Sequence, residues 1–173
     1  MRFSFLPTLI TDSVTDLTPE LLCDRGIRLL MLDFDNTIVP YTTNEPTEPM
    51  SAWLERMQAS HIQICVVSNS HKERVRLFCS ARGIDCITHA NKPFSKGICQ
   101  CIERYQLPIE QCALAGDQIY TDILGANCAG IYSILVKAIH NHNFWLKARH
   151  ALEIPWILAA KSRKLHADFS EKR

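Results

Sequence analysis

The sequence has no long apolar run. Nowhere do about 18 consecutive apolar residues occur, the length a membrane-crossing helix needs, so no such helix is expected. The first residues, Met1-Arg2-Phe3-Ser4-Phe5-Leu6-Pro7, form too short an apolar core for a secretory leader and soon give way to Asp12 and Asp16. Internal repeats and low-complexity tracts are also missing, which excludes a stacked-repeat architecture. A cytoplasmic chain is therefore expected. At 173 residues, with 47% apolar and 21% charged residues, the chain has the balance of one ordinary globular domain.

Cysteine is plentiful. The eight residues at 23, 65, 79, 86, 99, 101, 112 and 128 lie mostly among apolar neighbours. In a cytoplasmic chain they read as reduced, buried thiols rather than disulfides. Charge is unevenly spread. Residues 1–136 hold 11 Lys and Arg against 15 Asp and Glu, a balance of −4, and residues 137–173 hold 8 against 3, a balance of +5. A basic C-terminal segment behind a mildly acidic body suggests an anionic partner.

The most informative stretch is Asp33-Phe34-Asp35-Asn36-Thr37, which follows the apolar run Leu29-Leu30-Met31-Leu32. The run reads as a buried strand. Residues at i and i+2 on an extended backbone point to the same side, so the strand ends in two neighbouring carboxylates. Such a pair is costly without a cation or a shared proton. A hard divalent cation such as Mg²⁺ neutralises it, leaving one acid as nucleophile and the other to move protons. Three further pieces follow in order. Val66-Val67-Ser68-Asn69-Ser70 places hydroxyl and amide donors at a second strand end. Asn91-Lys92-Pro93 supplies a loop lysine. Leu114-Ala115-Gly116-Asp117, running on to Asp122, puts two more acids at a third strand end.

Residues 1–17 read as an irregular lead-in, and Thr18 with Pro19 opens a short helix that ends near Gly26. Five strands are expected near 28–34, 62–67, 84–88, 112–115 and 131–136. Between them lie a helix across Trp53, Leu54 and Met57, and one opened by a capping box, Ser70-His71-Lys72-Glu73. A third is capped by Ser95, and a fourth spans 119–129. Strands alternating with helices imply an α/β fold with a parallel sheet and an active site beyond the strand C-termini, where Asp33, Ser68 and Asp117 fall. Trp53 reads as core. His71, just after Ser68-Asn69-Ser70, either reaches a substrate or, the commoner case, faces solvent in a first helical turn, and His89 and Asn91 flank Lys92 in a loop that either lines the site or is simply solvated.

The ordered set DxDxT, Ser-Asn, Lys and GDxxxxD, over roughly residues 28–136, resembles the haloacid-dehalogenase-like (HAD) phosphatases. Within them the forms DFDNT, SNS, NKP and GDQxxTD, together with Arg25-Gly26 before the first strand, resemble the capless YqeG-type members of subclass IIIA. That resemblance implies a HAD-like Rossmannoid fold of about five parallel strands flanked by helices. It implies Asp33 as nucleophile, Asp35 as acid and base, and Lys92 as charge balance. Ser68 and the Asn69 backbone would meet phosphate oxygens, with Asn36 and Thr37 holding the adjoining turn on the substrate side. The Mg²⁺ set is then Asp33, Asp35 through its carbonyl, and Asp117, with Asp122 either a water-mediated ligand or the partner of Lys92. Aspartate two residues after the nucleophile favours a phosphatase over the P-type ATPase or dehalogenase branches.

Neither the Asp35–Ser68 gap nor the Lys92–Asp117 gap can hold a cap domain of about 50 residues, so an open site is expected. Some capless relatives carry a zinc loop. Here Cys86, His89, Cys99 and Cys101 depart from it: Lys92 falls inside the cluster, and residues at i and i+2 on a helix do not share a face. Ordinary thiols are expected instead.

Organellar relatives are phosphatidylglycerophosphate phosphatases, which implies a phospholipid monoester as substrate. A sugar phosphate, a nucleic acid end, a phosphoprotein, or a non-catalytic binding role with a vestigial site stand as alternatives. The expected domain plan is a catalytic body over 1–136 and a basic extension over 137–173, helical and packed on the same domain. In that extension Phe144, Trp145, Leu146, Ile154, Trp156, Ile157 and Leu158 mix with Lys147, Arg149, Lys161, Arg163 and Lys164. That mixture suits either packing on the sheet or peripheral contact with the inner face of a membrane.

Overall fold

A computed structural model describes residues 3–70, 73–139, 154–160 and 162. Six parallel strands form one sheet: β1 (Leu9–Thr11), β2 (Leu29–Leu32), β3 (Gln63–Val67), β4 (Asp85–Ile87), β5 (Cys112–Gly116) and β6 (Tyr132–Val136). Their order is β1-β6-β5-β2-β3-β4. The chain therefore moves one way from β2 through β3 to β4, then returns to the other side of β2 with β5 and β6. The strand order reverses beside β2, which in open parallel sheets is where a ligand crevice opens.

Alternation along β2 divides the core. Leu30 and Leu32 face one layer, with Ile64 and Val66 of β3 and with Leu22, Trp53, Leu54 and Phe78 from the helices. Leu29 and Met31 face the other, with Cys65, Val67, Ile98 and Cys101. All four β2 residues are buried, which explains why this strand reads as a continuous apolar run rather than an alternating one. On the first layer lie α1 (Pro19–Asp24), α2 (Glu48–Gln58) and α3 (Glu73–Ala81). On the second lie α4 (Lys96–Tyr105) and α5 (Leu124–Ala129). Helix α2 buries Met50, Trp53, Leu54 and Met57, one helical stripe. Trp53 is core, and its indole N–H donates to the Leu17 carbonyl at 2.7 Å.

Three local expectations change. The lead-in is not wholly irregular: Leu9–Thr11 pairs with Ile134–Val136 as an edge strand, giving six strands rather than five. Ser95 precedes α4 but makes no side-chain cap hydrogen bond, because it already has helical backbone angles. Residues 119–129 are not one regular helix, since Ile119–Ile123 forms a π-helical turn ahead of α5. The Thr18 cap is as expected, its hydroxyl accepting from Leu21 N. The Ser70–Glu73 capping box includes His71 and Lys72, which lie outside the described residues.

The Asp35–Ser68 span contains only a loop, α2 and β3, and the Lys92–Asp117 span only α4, a 3-10 turn and β5. Neither span contributes a domain that could cover the sheet edge. Among the described residues no helix is long and apolar enough to cross a membrane. Of the basic extension, residues 154–160 are helical. Trp156 and Ile157 there pack with Phe5 and Ile10 against Ile119, Ile123 and Leu135. Phe144, Trp145, Leu146, Lys147, Arg149, Lys161, Arg163 and Lys164 lie outside the described residues.

Candidate active site

Asp33, Ser68 and Asp117 are each the first residue after β2, β3 and β5, three adjacent strands of the sheet. Parallel pairing of Leu32 with Val66 and Ala115 brings the three ends to within one residue of level. Asp33 N donates to the Ala115 carbonyl of β5 at 2.9 Å, and Ser68 N to the Ile87 carbonyl of β4 at 2.9 Å. The sheet ladder thus extends one residue past the strands and fixes the backbone from which these side chains project.

Lys92 reaches into this row from the loop after β4. Its Nζ lies 2.7 Å from Asp33 Oδ1 and 2.7 Å from Asp122 Oδ1. Asn69 clamps the lysine's backbone on both sides: its amide N–H donates to the Lys92 carbonyl at 2.8 Å, and its Oδ1 accepts from Lys92 N at 2.7 Å. Ala90 N donates to the Ser68 carbonyl at 3.0 Å, which ties the same loop to the β3 end. Asn91 takes a positive φ of 55°, a conformation asparagine tolerates better than most residues. Asn91 also lines, with Asn69, Lys92, Phe94 and Lys96, an open pocket of about 540 Å³. His89 is exposed, its ring 3.2 Å from the Thr88 hydroxyl.

Carboxylate oxygens of Asp33, Asp117 and Asp122 all fall within 4.8 Å of one another, and all three residues are buried. The π-helical turn brings Asp122 back under the β5 end, where its Oδ2 accepts from Gln118 N at 3.1 Å. Gly116 makes room for it: a Cβ at 116 would sit 2.4 Å from the Asp122 carboxylate. Three acids thus face one ammonium. Burial pushes Asp33 up to about 7, with Asp122 adding to the rise and Lys92 opposing it. Burial works against the Lys92 charge, yet Asp122 and Asp33 outweigh it and hold the lysine above its ordinary value. The lysine therefore stays charged, and the acids are short of positive charge. Asp33 Oδ2 is buried and makes no hydrogen bond. An orphaned carboxylate oxygen among three converging acids is what a hard divalent cation fits.

Asp35 sits apart from the three acids. Its Oδ1 accepts from Arg74 Nη2 of α3, a guanidinium that also donates to the Thr43 carbonyl at 3.0 Å and lies 5.2 Å from the centre of the Phe34 ring. Arg74 is the residue that sequence reasoning missed. It lies 39 positions from Asp35, and a lone arginine in a helix carries no motif signal. Asn36 forms the turn after Asp35 at φ 64°, with its N donating to Val39 O at 2.8 Å and its carbonyl accepting from Ile139 N at 3.0 Å. The Thr37 hydroxyl beside it is buried without a hydrogen-bond partner. The Ser68 hydroxyl is buried and accepts from Ser70 N at 3.1 Å, which leaves its own proton available.

All eight cysteines are free thiols. Cys65, Cys79, Cys101 and Cys112 are buried, and burial raises the Cys79 and Cys112 thiols, the latter to about 11, so neither is a ready nucleophile. Cys86, His89, Cys99 and Cys101 do not converge as a group. Among the described residues the convergent set of metal-ligating side chains is Asp33, Asp117 and Asp122.

The same chain has known relatives. Residues 2–139 match the family described as mitochondrial PGP phosphatase. A probable phosphatase, YqeG of Bacillus subtilis, is 32% identical over 167 residues, covering 96% of this chain and 97% of the relative. The fold is shared with the cobalt-bound deoxy-D-mannose-octulosonate 8-phosphate phosphatase of Haemophilus influenzae. That pair has a TM-score of 0.54 and 15% identity, over 72% of this chain and 75% of that one. The corresponding phosphatase of Yersinia pestis superposes with a TM-score of 0.52 and 17% identity, over 73% and 71% of the two chains. With acids, lysine and parallel sheet arranged as above and the family matched over most of its length, this chain belongs to the mitochondrial PGP phosphatase family and is a HAD-type phosphatase.

Proposed function

We propose that the chain hydrolyses phosphate monoesters by way of an aspartyl-phosphate on Asp33, with Mg²⁺ as its metal, and that its substrate is a phospholipid monoester of the phosphatidylglycerophosphate kind. The observation that carries the chemistry is Lys92 bridging Asp33 and Asp122 beside Asp117, with Asp33 Oδ2 unsatisfied.

Asp33, Asp117 and the Asp35 carbonyl would hold the cation, and Asp122 would hold Lys92 and stand next to the metal. Bound there, Mg²⁺ supplies charge neutralisation for nucleophile and phosphate together. The Asp33 carboxylate attacks phosphorus, and the bond to the leaving oxygen breaks. Asp35 gives that oxygen a proton, then takes one from the water that attacks the acyl phosphate and releases inorganic phosphate. Arg74 holds only Oδ1 of Asp35, so Oδ2 is the oxygen that would carry the proton in either step. Lys92, the Ser68 hydroxyl and the Asn69 backbone offer donors to the non-bridging oxygens. The buried, unpartnered Thr37 hydroxyl would be a further donor on the substrate side.

The lipid assignment rests on the family description, the open sheet edge, which admits a phosphate carried on a large body, and the basic C-terminal segment. The test is a two-part assay. An aryl phosphate should be hydrolysed with Mg²⁺ and not with chelator; activity indifferent to chelator removes the metal. A panel of phosphatidylglycerophosphate in mixed micelles, sugar phosphates, nucleotides and 5′-phosphorylated oligonucleotides should favour the lipid in kcat/KM. A clear preference for another member replaces the lipid with that substrate.

A further inference from the structure

Arg74 projects from the first turn of α3, and its guanidinium is held on three sides. Nη2 donates to Asp35 Oδ1, Nη1 donates to the Thr43 carbonyl at 3.0 Å, and the central carbon lies 5.2 Å from the centre of the Phe34 ring. Phe34 separates the two acids in sequence. Phe78, one turn further along α3, meets its ring edge-on at 5.2 Å. Residues four apart share a helix face, so Arg74 and Phe78 together seat α3 against the Asp33–Asp35 segment.

Asp35 gains a fixed direction from that seat. Its backbone is already held, since Asp35 bridges Val39 and Asn36 N donates to Val39 O at 2.8 Å. A carboxylate on a fixed backbone still turns about two side-chain bonds, and the outer one has broad, nearly two-fold preferences. A hydrogen bond to Oδ1 removes that freedom and gives Oδ2 a defined direction. Arginine suits the task, because its planar fork holds an acid and a carbonyl at once, where lysine offers a single point charge. Both side chains of the pair are only 15% exposed, so water and salt screen the contact little. Helix α3 has a second arginine on the same loop, residues 40–47: Arg82 Nη2 donates to Glu45 Oε2 at 2.9 Å. Both arginines tie the loop to α3, and Arg74 adds the contact to Asp35.

We infer that Arg74 is a positioning residue for Asp35. It aims the free oxygen, Oδ2, at the leaving oxygen of the phosphate ester. This inference rests on the proposed acid role of Asp35. The aim matters most where the leaving group is poor. A nitrophenolate departs without a proton, whereas an alkoxide, as from a glycerol monoester, needs one. Loss of Arg74 therefore changes which esters are cleaved well, and not only how fast.

The experiment measures kcat/KM with Mg²⁺ across an aryl series from nitrophenyl to methoxyphenyl phosphate, with glycerol phosphate as the alkyl end. This ratio reports the steps up to transfer onto Asp33 and not the later hydrolysis. Arg74→Met should lose about threefold on nitrophenyl phosphate and on the order of a hundredfold at the alkyl end, a steeper dependence on the leaving group. Arg82→Met, which frees the loop but does not touch Asp35, should keep the slope of the parent. Arg74→Met added to Asp35→Asn should cost little more, because effects that pass through one group do not add. Thermal melting reports whether each variant folds. Should Arg74→Met not fold, Arg74→Lys keeps the charge without the fork and should steepen the slope in the same direction, with a loss of about tenfold at the alkyl end. An unchanged slope in the Arg74 variant overturns the inference. So does the same steepening in Arg82→Met, which would trace it to the loop, or full additivity with Asp35→Asn. Asp35→Asn with an unchanged slope would instead remove the acid role of Asp35 itself. A steeper slope in Asp35→Asn but not in Arg74→Met removes the positioning role alone.

Discussion

Lys92 is the hinge of the account at the scale of single residues. It is buried, held at its backbone by Asn69, and shared between two acids. Asp33 nonetheless sits at about 7, above its ordinary 3.8, because burial and Asp122 outweigh the lysine. The consequence for stability has a definite sign. The folded protein binds the Asp33 proton more tightly than the unfolded chain does, so the benefit is complete below 3.8 and is lost as pH rises through about 7. In metal-free buffer the melting temperature should therefore fall across that window by an amount corresponding to on the order of a few kcal/mol. Asp33→Asn, which has no proton to lose, should flatten that part of the profile, and Mg²⁺ should restore the unsubstituted protein at pH 8 but not the variant. Parallel melting profiles for the two proteins would show that Asp33 is not under electrostatic load.

At the scale of elements, three strand ends and one loop make the site, and the cost of packing them closely falls on Gly116. The Asp122 carboxylate that a Cβ would meet at 2.4 Å is anchored by Lys92 and by Gln118 N, so it has nowhere to retreat. Gly116→Ala should lower kcat on an aryl phosphate by about a hundredfold and destabilise the fold by about 1–3 kcal/mol. Near-normal activity would mean that Asp122 is not needed where the structure holds it.

The same elements show what was legible beforehand. Buried parallel strands write themselves as apolar runs, and the acids, serine and glycine at their ends stand out against those runs. Asp33, Ser68 and Asp117 could thus be placed from the sequence. Strand β1 could not: three half-buried residues at a sheet edge carry neither a run nor an alternation. The Arg74–Asp35 pair was equally hidden, because it joins a helix to a loop across 39 positions. For Asp122 the sequence leaves two roles as alternatives, and the geometry brings it to Lys92 and to the other acids at once.

At the scale of the molecule, no cap covers the C-terminal edge of the sheet among the described residues, and Phe5 and Trp156 meet on the turn behind that edge. The expected division into a catalytic body over 1–136 and a basic extension over 137–173 remains a proposal. Of its described residues, Trp156 and Ile157 in the helix over 154–160 pack on the body.

The proposed mechanism depends on Asp33 becoming phosphorylated, and that can be read directly. The protein is mixed with an aryl phosphate and Mg²⁺, quenched in acid during turnover, reduced with borohydride and mapped by peptide mass spectrometry. Reduction converts an aspartyl-phosphate to homoserine. The account predicts homoserine at position 33, more of it in Asp35→Asn, where the second step lacks its base, and none in Asp33→Asn. Turnover by the Asp35→Asn protein with position 33 unmodified, or a phosphoryl group trapped on any other residue, would contradict it.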